Sequence, residues 1–246
     1  MPIRILSSRE APSLYVGRAY WERRFREEGL WPRFLDLQEK SGAYSDEMDR
    51  RYPDFQFVAV NDKDEVVGVA HSVPVQAPPA AQQLPPGGWD WAVQNSMRSA
   101  TRNALCGLSI TVRASHQRRG LGREFIRTLF AASLDLELGR LIVPARPLLK
   151  QDIPNLPMEA YIDWTRPDGL HQDPWLRAHE RLGGRIAGIC ARSMTISAPV
   201  VEWRRVTGAE LETTGAHVVK GCLAPIEVDL EKQTATYVEP NVWIEY

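Results

Sequence analysis

Between residues 105 and 197, short apolar runs alternate with stretches whose apolar residues recur at helical spacing. The run at 105–113 predicts a strand, and the run "RLIVPARP", which begins at Arg140, predicts another. Between the two, apolar residues recur at intervals of 4, 4, 3 and 4, which predicts the buried face of a helix over 120–138. The residues of that face are Leu121, Phe125, Leu129, Ala132 and Leu136.

The end of this region carries the signals of a second, shorter helix. Asp173 can cap the helix, Pro174 fits its first turn, and Gly183 can end it. Strand-like runs follow at 185–190 and 193–197. The order strand, helix, strand, helix, strand predicts an α/β fold for this part of the chain.

The N-terminal part of the chain shows a different pattern. A short strand is predicted at 3–6. Helix-spaced apolar residues over 14–40 predict two helices that Pro32 separates, because proline is tolerated in the first turn of a helix and disrupts its interior. The apolar runs at 55–60 and 65–73 flank a short polar turn, and together they predict a β-hairpin.

A proline-rich segment, 74–88, follows this hairpin. Its composition predicts a long loop rather than regular structure. Trp89 and Trp91 come directly after it, and two tryptophans at this place are not expected to be fully exposed to solvent. We therefore expect the loop, taken as 74–91, to lie over a site and not to link two domains.

Composition narrows the classes of function. The 246 residues are enough for one large domain or two small ones, and 43% hydrophobic with 25% charged residues is typical of a globular protein. A net charge of −1 argues against a general nucleic-acid partner. No apolar run approaches the roughly 20 residues that span a bilayer, so no membrane partner is expected. The N-terminus lacks an apolar secretory segment, and three widely spaced cysteines indicate reduced thiols in a cytoplasmic protein.

The turn "HQRRGLG", residues 116–122, concentrates charge and glycine between the predicted strand and helix. The first amides of a helix have no intrahelical acceptor and lie at the positive end of its dipole. Glycines let the backbone approach a bulky anion, and Arg118, Arg119 and Arg123 can add charged hydrogen bonds, so the turn suits a pyrophosphate. A charged helix start without a ligand is the alternative. The phosphate-binding patterns GxxxxGKS/T and GxGxxG are both absent.

Residues 112–122, "VRASHQRRGLG", resemble the signature V-x-P-x-x-Q/R-x-x-G-x-G/A of the GNAT N-acyltransferases. Gln117, Gly120 and Gly122 occupy the three diagnostic positions, and Ala114 stands where the family often has proline. The resemblance implies that acetyl-CoA is the acyl donor and that no metal is involved. It implies a donor site on the end of the strand and on the turn, made of Ile110, Thr111, Val112, Gln117, Arg118, Arg119, Gly120, Leu121, Gly122 and Arg123.

The resemblance covers roughly 54–197 and also implies a fold. GNAT proteins have a mixed central sheet that is splayed between its fourth and fifth strands, with helices on both faces. Pro144 lies in the strand beside the expected splay, where its missing N–H suits a sheet that opens; an edge strand containing a proline is the alternative. We expect a GNAT-type α/β (α+β) core over 1–197 and a β-rich C-terminal extension over 198–246 packed on it.

Candidate catalytic groups follow from the same resemblance. His179, in "HERLGG", stands where the family has a tyrosine that protonates the departing CoA thiolate, and a histidine can perform that step. The alternative is a core histidine that one hydrogen bond satisfies. An amine acceptor also needs a base, for which Asp90 and His71 are the candidates, although Asp90 is equally typical of a turn. We expect three side chains to line the acceptor site: Trp89, Trp91 and Ser109.

Three functions remain open at this point. The first is transfer of acetyl from acetyl-CoA to a small amine, by direct attack on the thioester. The second loads an acyl-carrier-protein thiol or decarboxylates malonyl-CoA, because the run "YIDWTRPDGLHQDPWLRAHERLGG" is similar to a GNAT branch found in polyketide-synthase loading domains. Arg177, Arg181 and Arg185 would then meet the acidic carrier protein. The third is CoA binding without turnover. Each function allows a homodimer.

Overall fold

The computed structural model describes residues 3–246 except 17, 39, 40 and 136. The strands in this part of the chain are β1 Arg4–Ser7, β2 Gln56–Val60, β3 Val66–Val75, β4 Ala104–Val112, β5 Leu141–Ala145, β6 Arg185–Pro199, β7 Gly215–His217, β8 Ile226–Asp229 and β9 Thr234–Glu245. The α-helices are α1 Pro12–Val16, α2 Arg18–Glu27, α3 Ser41–Arg51, α4 Gly88–Arg98, α5 Leu121–Asp135, α6 Met158–Ile162, α7 Pro174–Glu180 and α8 Val200–Thr207.

All nine strands belong to one mixed sheet in the order β1-β2-β3-β4-β5-β9-β8-β7, with β6 paired to β9. The β4–β5 pair is parallel and the other pairs are antiparallel. The predicted hairpin is β2–β3, and the runs expected at 185–190 and 193–197 form one strand, β6, with register shifts.

The segment 198–246, expected as an extension, contributes a strand to the middle of this sheet. Residues 242–245 of β9 pair with β5 on one edge and with β6 on the other. The earlier residues of β9 pair with β8 instead of β5. The central sheet is therefore formed by strands from both segments, 1–197 and 198–246. In it β9 lies between β5 and β6.

The expected splay between the fourth and fifth strands is confirmed. β4 pairs with β5 only through Leu105↔Leu141 and Cys106↔Ile142. From Leu108 onward β4 has no registered partner in β5, so the two strands diverge. β4 also carries a bulge, since Gly107 faces Ser72 and Ser109 faces His71 while Leu108 is the extra residue.

Helices cover both faces of the sheet, as expected. On one face α5 packs Phe125 and Leu129 against Leu105 of β4. The buried positions of α5 follow the predicted 3.6-residue period; Leu136, expected on the same face, lies outside the described residues. On the other face α2 packs through Trp21 and Phe25, and α4 packs through Ala92 and Val93. The splay thus opens between a layer containing α5 and a layer containing α2 and α4.

The expectation of a loop over 74–91 is wrong at both ends. β3 extends to Val75, and α4 begins at Gly88, so Trp89, Asp90 and Trp91 are helical. The start of α4 approaches β6 closely: a Cβ at Gly88 would lie 2.7 Å from the Cβ of Ser193. The amide of Trp89 donates to the Ser193 hydroxyl at 3.0 Å. Glycine is therefore needed where the helix starts against the strand.

Two features are absent from the described residues. No helix in that part of the chain combines the length and apolar character needed to cross a membrane. No group of three or more histidine, cysteine, aspartate or glutamate side chains there is placed to hold a metal ion.

Candidate active site

A cavity of about 1070 Å³ passes through the splay. Its lining includes residues of β4 and β5, among them Ser109, Thr111 and Val143. It also includes Gln117, Gly122, Trp175 and His179, and we call this group the turn end. A further group consists of His71 of β3 and acidic side chains from α2, α3 and β9, with arginines beside them, and we call it the carboxylate end: Glu22, Asp46, Asp49 and Glu239.

The turn end is built from the backbone between β4 and α5. Gln117 donates its side-chain amide to the carbonyl oxygen of Val112 at 2.9 Å, which ties the turn to the end of the strand. Arg118 and Gly120 have φ values of +60° and +88°, so the chain reverses sharply there. The amides of residues 118–122 have no hydrogen-bond acceptor among the described residues. They form a concave donor surface at the start of a 15-residue helix.

His179 of α7 lies beside this surface. Asp173 caps α7 by accepting hydrogen bonds from the amides of Trp175 and Leu176, as the sequence predicts. The His179 ring is fully buried, and its centroid lies 4.6 Å from that of Trp175. Its Nδ1 lies 2.7 Å from the hydroxyl of Tyr246, whereas its Nε2 is buried without a partner. Burial lowers the pKa of His179 to about 4, so the ring is neutral at pH 7.

β4 passes along the middle of the cavity. The alternation of its side chains predicts Leu108, Ile110 and Val112 on one face, and this prediction is wrong. Leu108 packs in the cluster under α4, while Ile110 and Val112 pack in the cluster under α5, because the bulge at Leu108 shifts the alternation. Thr111 is held on the α2 side, where its hydroxyl accepts a hydrogen bond from Trp31 Nε1 at 2.8 Å.

His71 lies at the carboxylate end, opposite Ser109 in the sheet, and is 9% exposed. Its Nδ1 lies 3.0 Å from Oε1 of Gln56. The amide nitrogen of Gln56 donates to the carbonyl oxygens of Tyr52 and Ser72, at 3.2 and 2.7 Å, which fixes which end of the amide is oxygen. His71 Nδ1 must therefore be the donor, and in the neutral ring Nε2 carries the lone pair.

Glu239 is the most buried carboxylate at this end, with 2% exposure. Its Oε2 accepts from Arg146 Nε at 3.0 Å and from the Tyr237 hydroxyl at 3.1 Å. Its Oε1 accepts from Asn241 Nδ2 at 3.1 Å. A buried charge needs partners of this kind, and these three donors hold the carboxylate rigidly.

Two of the expected acceptor-site residues lie elsewhere. Trp89 and Ser109 line the cavity. Asp90 and Trp91 are not among the described residues that line it. The carboxylate of Asp90 accepts from the amide of Thr195 at 3.0 Å and so ties α4 to β6. Trp91 packs edge-on against Trp243.

Sequence reasoning missed several residues of the site. Tyr246, Gln56, Arg146 and Glu239 carry no local motif, and each acquires its partner through strand pairing or a long-range contact. The one available signal is the short apolar run at 242–244 within "EPNVWIEY", residues 239–246, which is typical of a buried strand.

Comparisons with known proteins bear on the fold and on the family. No family model matches the chain. The arginine N-acetyltransferase avaD of Aspergillus versicolor is 32% identical over an alignment 246 positions long, which covers 87% of this chain and 84% of that protein. Among solved structures, the loading GNATL domain of CurA from Lyngbya majuscula has a TM-score of 0.55 at 16% identity, covering 100% of this chain and 98% of that one.

A second solved structure, the GNAT-like decarboxylase GphF in complex with isobutyryl-CoA, has a TM-score of 0.56 at 17% identity. It also covers 100% of this chain, with 98% of its own length matched. The two solved structures support the fold, and the relative adds sequence identity over most of both chains. This chain belongs to the GNAT superfamily and is an acyltransferase.

Proposed function

We propose that this protein transfers acetyl from acetyl-CoA to a nitrogen of arginine or of a small molecule that bears arginine's cationic group. The observation that carries the proposal is one cavity whose lining includes both Gly122, at the start of a helix whose first amides are unpaired, and carboxylates from α2, α3 and β9. The name of the relative, an arginine N-acetyltransferase, supports the choice of acceptor.

The turn end suits the donor. The free amides of residues 118–122 would bind the diphosphate of acetyl-CoA, and the exposed guanidinium groups of Arg118, Arg119 and Arg123 would add charged hydrogen bonds. The pantetheine arm would then enter the splay, as in the first hypothesis above. Backbone amides of β4 near Ile110, Thr111 and Val112 would polarise the thioester carbonyl, because β5 does not pair with that stretch.

The carboxylate end suits a cationic acceptor. Glu22 and Asp49 are half-buried on two different helices, and Glu239 is buried on β9. Glu239 is already paired with Arg146, so Glu22 and Asp49 are the carboxylates whose charge would favour a positively charged ligand over a neutral one. The arginine side chain is planar and carries several N–H donors, so it can bond to more than one carboxylate at once.

His71 is the proposed base. The acceptor nitrogen forms a bond to the carbonyl carbon while the carbon–sulfur bond breaks, and the nitrogen's proton passes to Nε2 of His71. The hydrogen bond from Nδ1 to Gln56 leaves Nε2 as the accepting nitrogen, which the step requires. The electron pair of the broken bond leaves on the CoA sulfur. Asp90, the other candidate, is occupied by the backbone of β6.

The competing hypothesis is transfer to a carrier-protein thiol or decarboxylation of malonyl-CoA. It predicted a basic docking surface at Arg177, Arg181 and Arg185. Arg177 donates instead to the carbonyl oxygens of His171 and Gln172, both at 2.7 Å, while Arg181 and Arg185 are exposed. One of the three arginines therefore has a structural partner already.

Release of CoA from acetyl-CoA should be measured with arginine, agmatine, lysine and citrulline as acceptors, and with a holo acyl-carrier protein. Citrulline is the matched neutral control for arginine. We expect CoA release and an acetylated product with the arginine-like cations, and at least a tenfold lower kcat/KM with citrulline. Transfer to the carrier protein alone, or release of carbon dioxide from malonyl-CoA, would establish the competing hypothesis instead.

A further inference from the structure

We propose that Tyr246 is a positioning residue that holds His179 in the neutral tautomer with its proton on Nε2, so that His179 stabilises the leaving CoA thiolate by donating a hydrogen bond. This role differs from the proton transfer expected of the residue at this position. The inference rests on the proposed function, since it assumes a thiolate at the turn end of the cavity.

The hydrogen-bond geometry distinguishes the two neutral tautomers. If the Tyr246 hydroxyl donates to Nδ1, its proton has an acceptor, and the one group left over is the buried Nε2–H of a residue that lines the cavity. If Nδ1 donates to Tyr246, the hydroxyl proton has no described acceptor and the Nε2 lone pair is buried unpaired as well. Each buried polar group without a partner destabilises the folded protein, so the tautomer that leaves fewer of them is favoured, which is the first.

The surroundings keep the ring uncharged. Trp175 packs on it from its own helix, and Tyr246 packs on it from the end of β9, at a centroid distance of 6.0 Å. Tyr246 is the titratable side chain in contact with it, and burial raises the pKa of that hydroxyl. No carboxylate contributes to the lowered pKa of His179, whose cause is burial alone. Neither ring therefore carries a charge near neutral pH.

A proton relay from Tyr246 through His179 would leave a buried phenolate, which burial disfavours. A neutral imidazole also gives up its remaining proton far less readily than a thiol, whose ordinary pKa is about 8.5. A hydrogen bond from Nε2–H to the sulfur requires neither Tyr246 nor His179 to lose a proton. The carbon–sulfur electron pair stays on the sulfur, and the thiolate takes its proton from water after it leaves the site.

The first test uses the free protein. ¹⁵N–¹H NMR of the imidazole of His179, assigned with His179→Gln, should show a proton on Nε2 and none on Nδ1. In Tyr246→Phe, which keeps the ring packing against Phe130 and loses only the hydroxyl, this tautomer preference should weaken. A proton on Nδ1 in the wild-type protein would overturn the proposal. Neither result depends on which acceptor the enzyme uses.

The second test uses bound CoA. A donor at the sulfur lowers the pKa of the bound thiol, which thiolate absorbance near 240 nm reports during a pH titration. We expect Tyr246→Phe and His179→Gln to raise that pKa and to lower kcat about tenfold, with the affinity for acetyl-CoA changed less than twofold. Tyr20→Phe, at an exposed tyrosine, is the control that should change nothing.

The pH profile separates a hydrogen-bond donor from a general acid. A general acid with the ordinary histidine pKa near 6.5 would make kcat fall as the pH rises through that value, and His179→Gln would remove the fall. That pair of results would overturn the proposal. If no amine accepts acetyl, the proposed function fails, while the tautomer and the thiol pKa still decide this inference.

Discussion

The two ends of the cavity are built in different ways. The turn end comes mainly from one contiguous stretch, residues 112–123, whose backbone supplies its donors. The carboxylate end collects side chains from α2, α3, β3 and β9, which are far apart in the sequence. The first is a property of local backbone conformation, and the second exists only after the sheet has formed. A motif search therefore finds the site for the donor but gives little information about the acceptor.

The two histidines of the cavity sharpen this contrast. Nδ1 of His71 donates to the side-chain oxygen of Gln56, whereas in our proposal Nδ1 of His179 accepts from the hydroxyl of Tyr246. In the proposed mechanism the neutral imidazole therefore acts through a lone pair in His71 and through an N–H in His179. In each case a hydrogen-bond partner that takes no direct part in the reaction, Gln56 or Tyr246, decides which ring nitrogen carries the proton.

Removing the base at the carboxylate end should have the largest effect. In His71→Ala the acceptor nitrogen loses its proton acceptor, and positioned general bases contribute about 10²–10⁴-fold. We expect kcat to fall at least a hundredfold while the KM for acetyl-CoA stays within twofold. Steady-state kinetics of CoA release measure both, and His217→Ala, outside the cavity lining, is the control. A kcat within threefold of wild type would rule His71 out as the base.

A change in the turn should give the opposite kinetic pattern. In Gly120→Asp a non-glycine residue is forced to a φ of +88°, and a negative charge is placed among amides proposed to bind a diphosphate. We expect the KM for acetyl-CoA to rise about a hundredfold with a smaller change in kcat. Gly169→Asp is the matched control, because Gly169 has a φ of +80° and lies outside the cavity lining. If both variants behave alike, backbone strain and not diphosphate binding explains the loss.

Much of the fold was predictable because its signals are local. The hairpin β2–β3, helix α5 with its buried face, and the cap of α7 at Asp173 all follow from spacing, turn residues or capping residues. The splay followed from the resemblance at the turn, and pairing confirms it.

The features that were missed depend on long-range register. A bulge of one residue, Leu108, moves Ile110 and Val112 to the other face of the sheet, and no sequence pattern marks it. The placement of β9 beside β5 brings Tyr246 to His179 across 67 positions of the sequence. The sequence predicts a loop at the start of α4, because the prolines and glycines before it are typical of irregular structure, whereas the helix begins at Gly88.

Breaking the buried ion pair at the carboxylate end should cost stability as well as acceptor binding. In Glu239→Gln the charge of Arg146 loses its partner, and because that side chain is 29% exposed we expect about 2 kcal/mol, below the 3–5 kcal/mol of fully buried pairs. Urea unfolding measures the loss, and the KM for the acceptor should rise while that for acetyl-CoA does not. The exposed pair Glu202–Arg205 provides the control, since Glu202→Gln should leave the unfolding curve unchanged. Equal loss in both variants would contradict a special role for Glu239.

The smallest expected effect tests the neutral histidine at the turn end. Burial lowers the pKa of His179 from 6.5 to about 4, so between these values the unfolded state binds a proton that the folded state does not. Stability contributed at this position is therefore lost as the pH falls below 6.5, and the loss is complete near pH 4. Between pH 7.5 and 5.5 the wild-type protein should lose about 1.4 kcal/mol more than His179→Gln, by the 1.36 kcal/mol per pKa unit that links the two quantities.

Urea unfolding at the two pH values gives this difference directly, because every other titrating group is present in both proteins. Tyr246→Phe should retain most of the pH dependence, since the ring stays buried. Equal pH dependence in wild type and His179→Gln would show that His179 is charged or exposed in the folded protein. The turn end would then hold a cation beside the sulfur, and the contrast between the two histidines would no longer depend on their neutral tautomers.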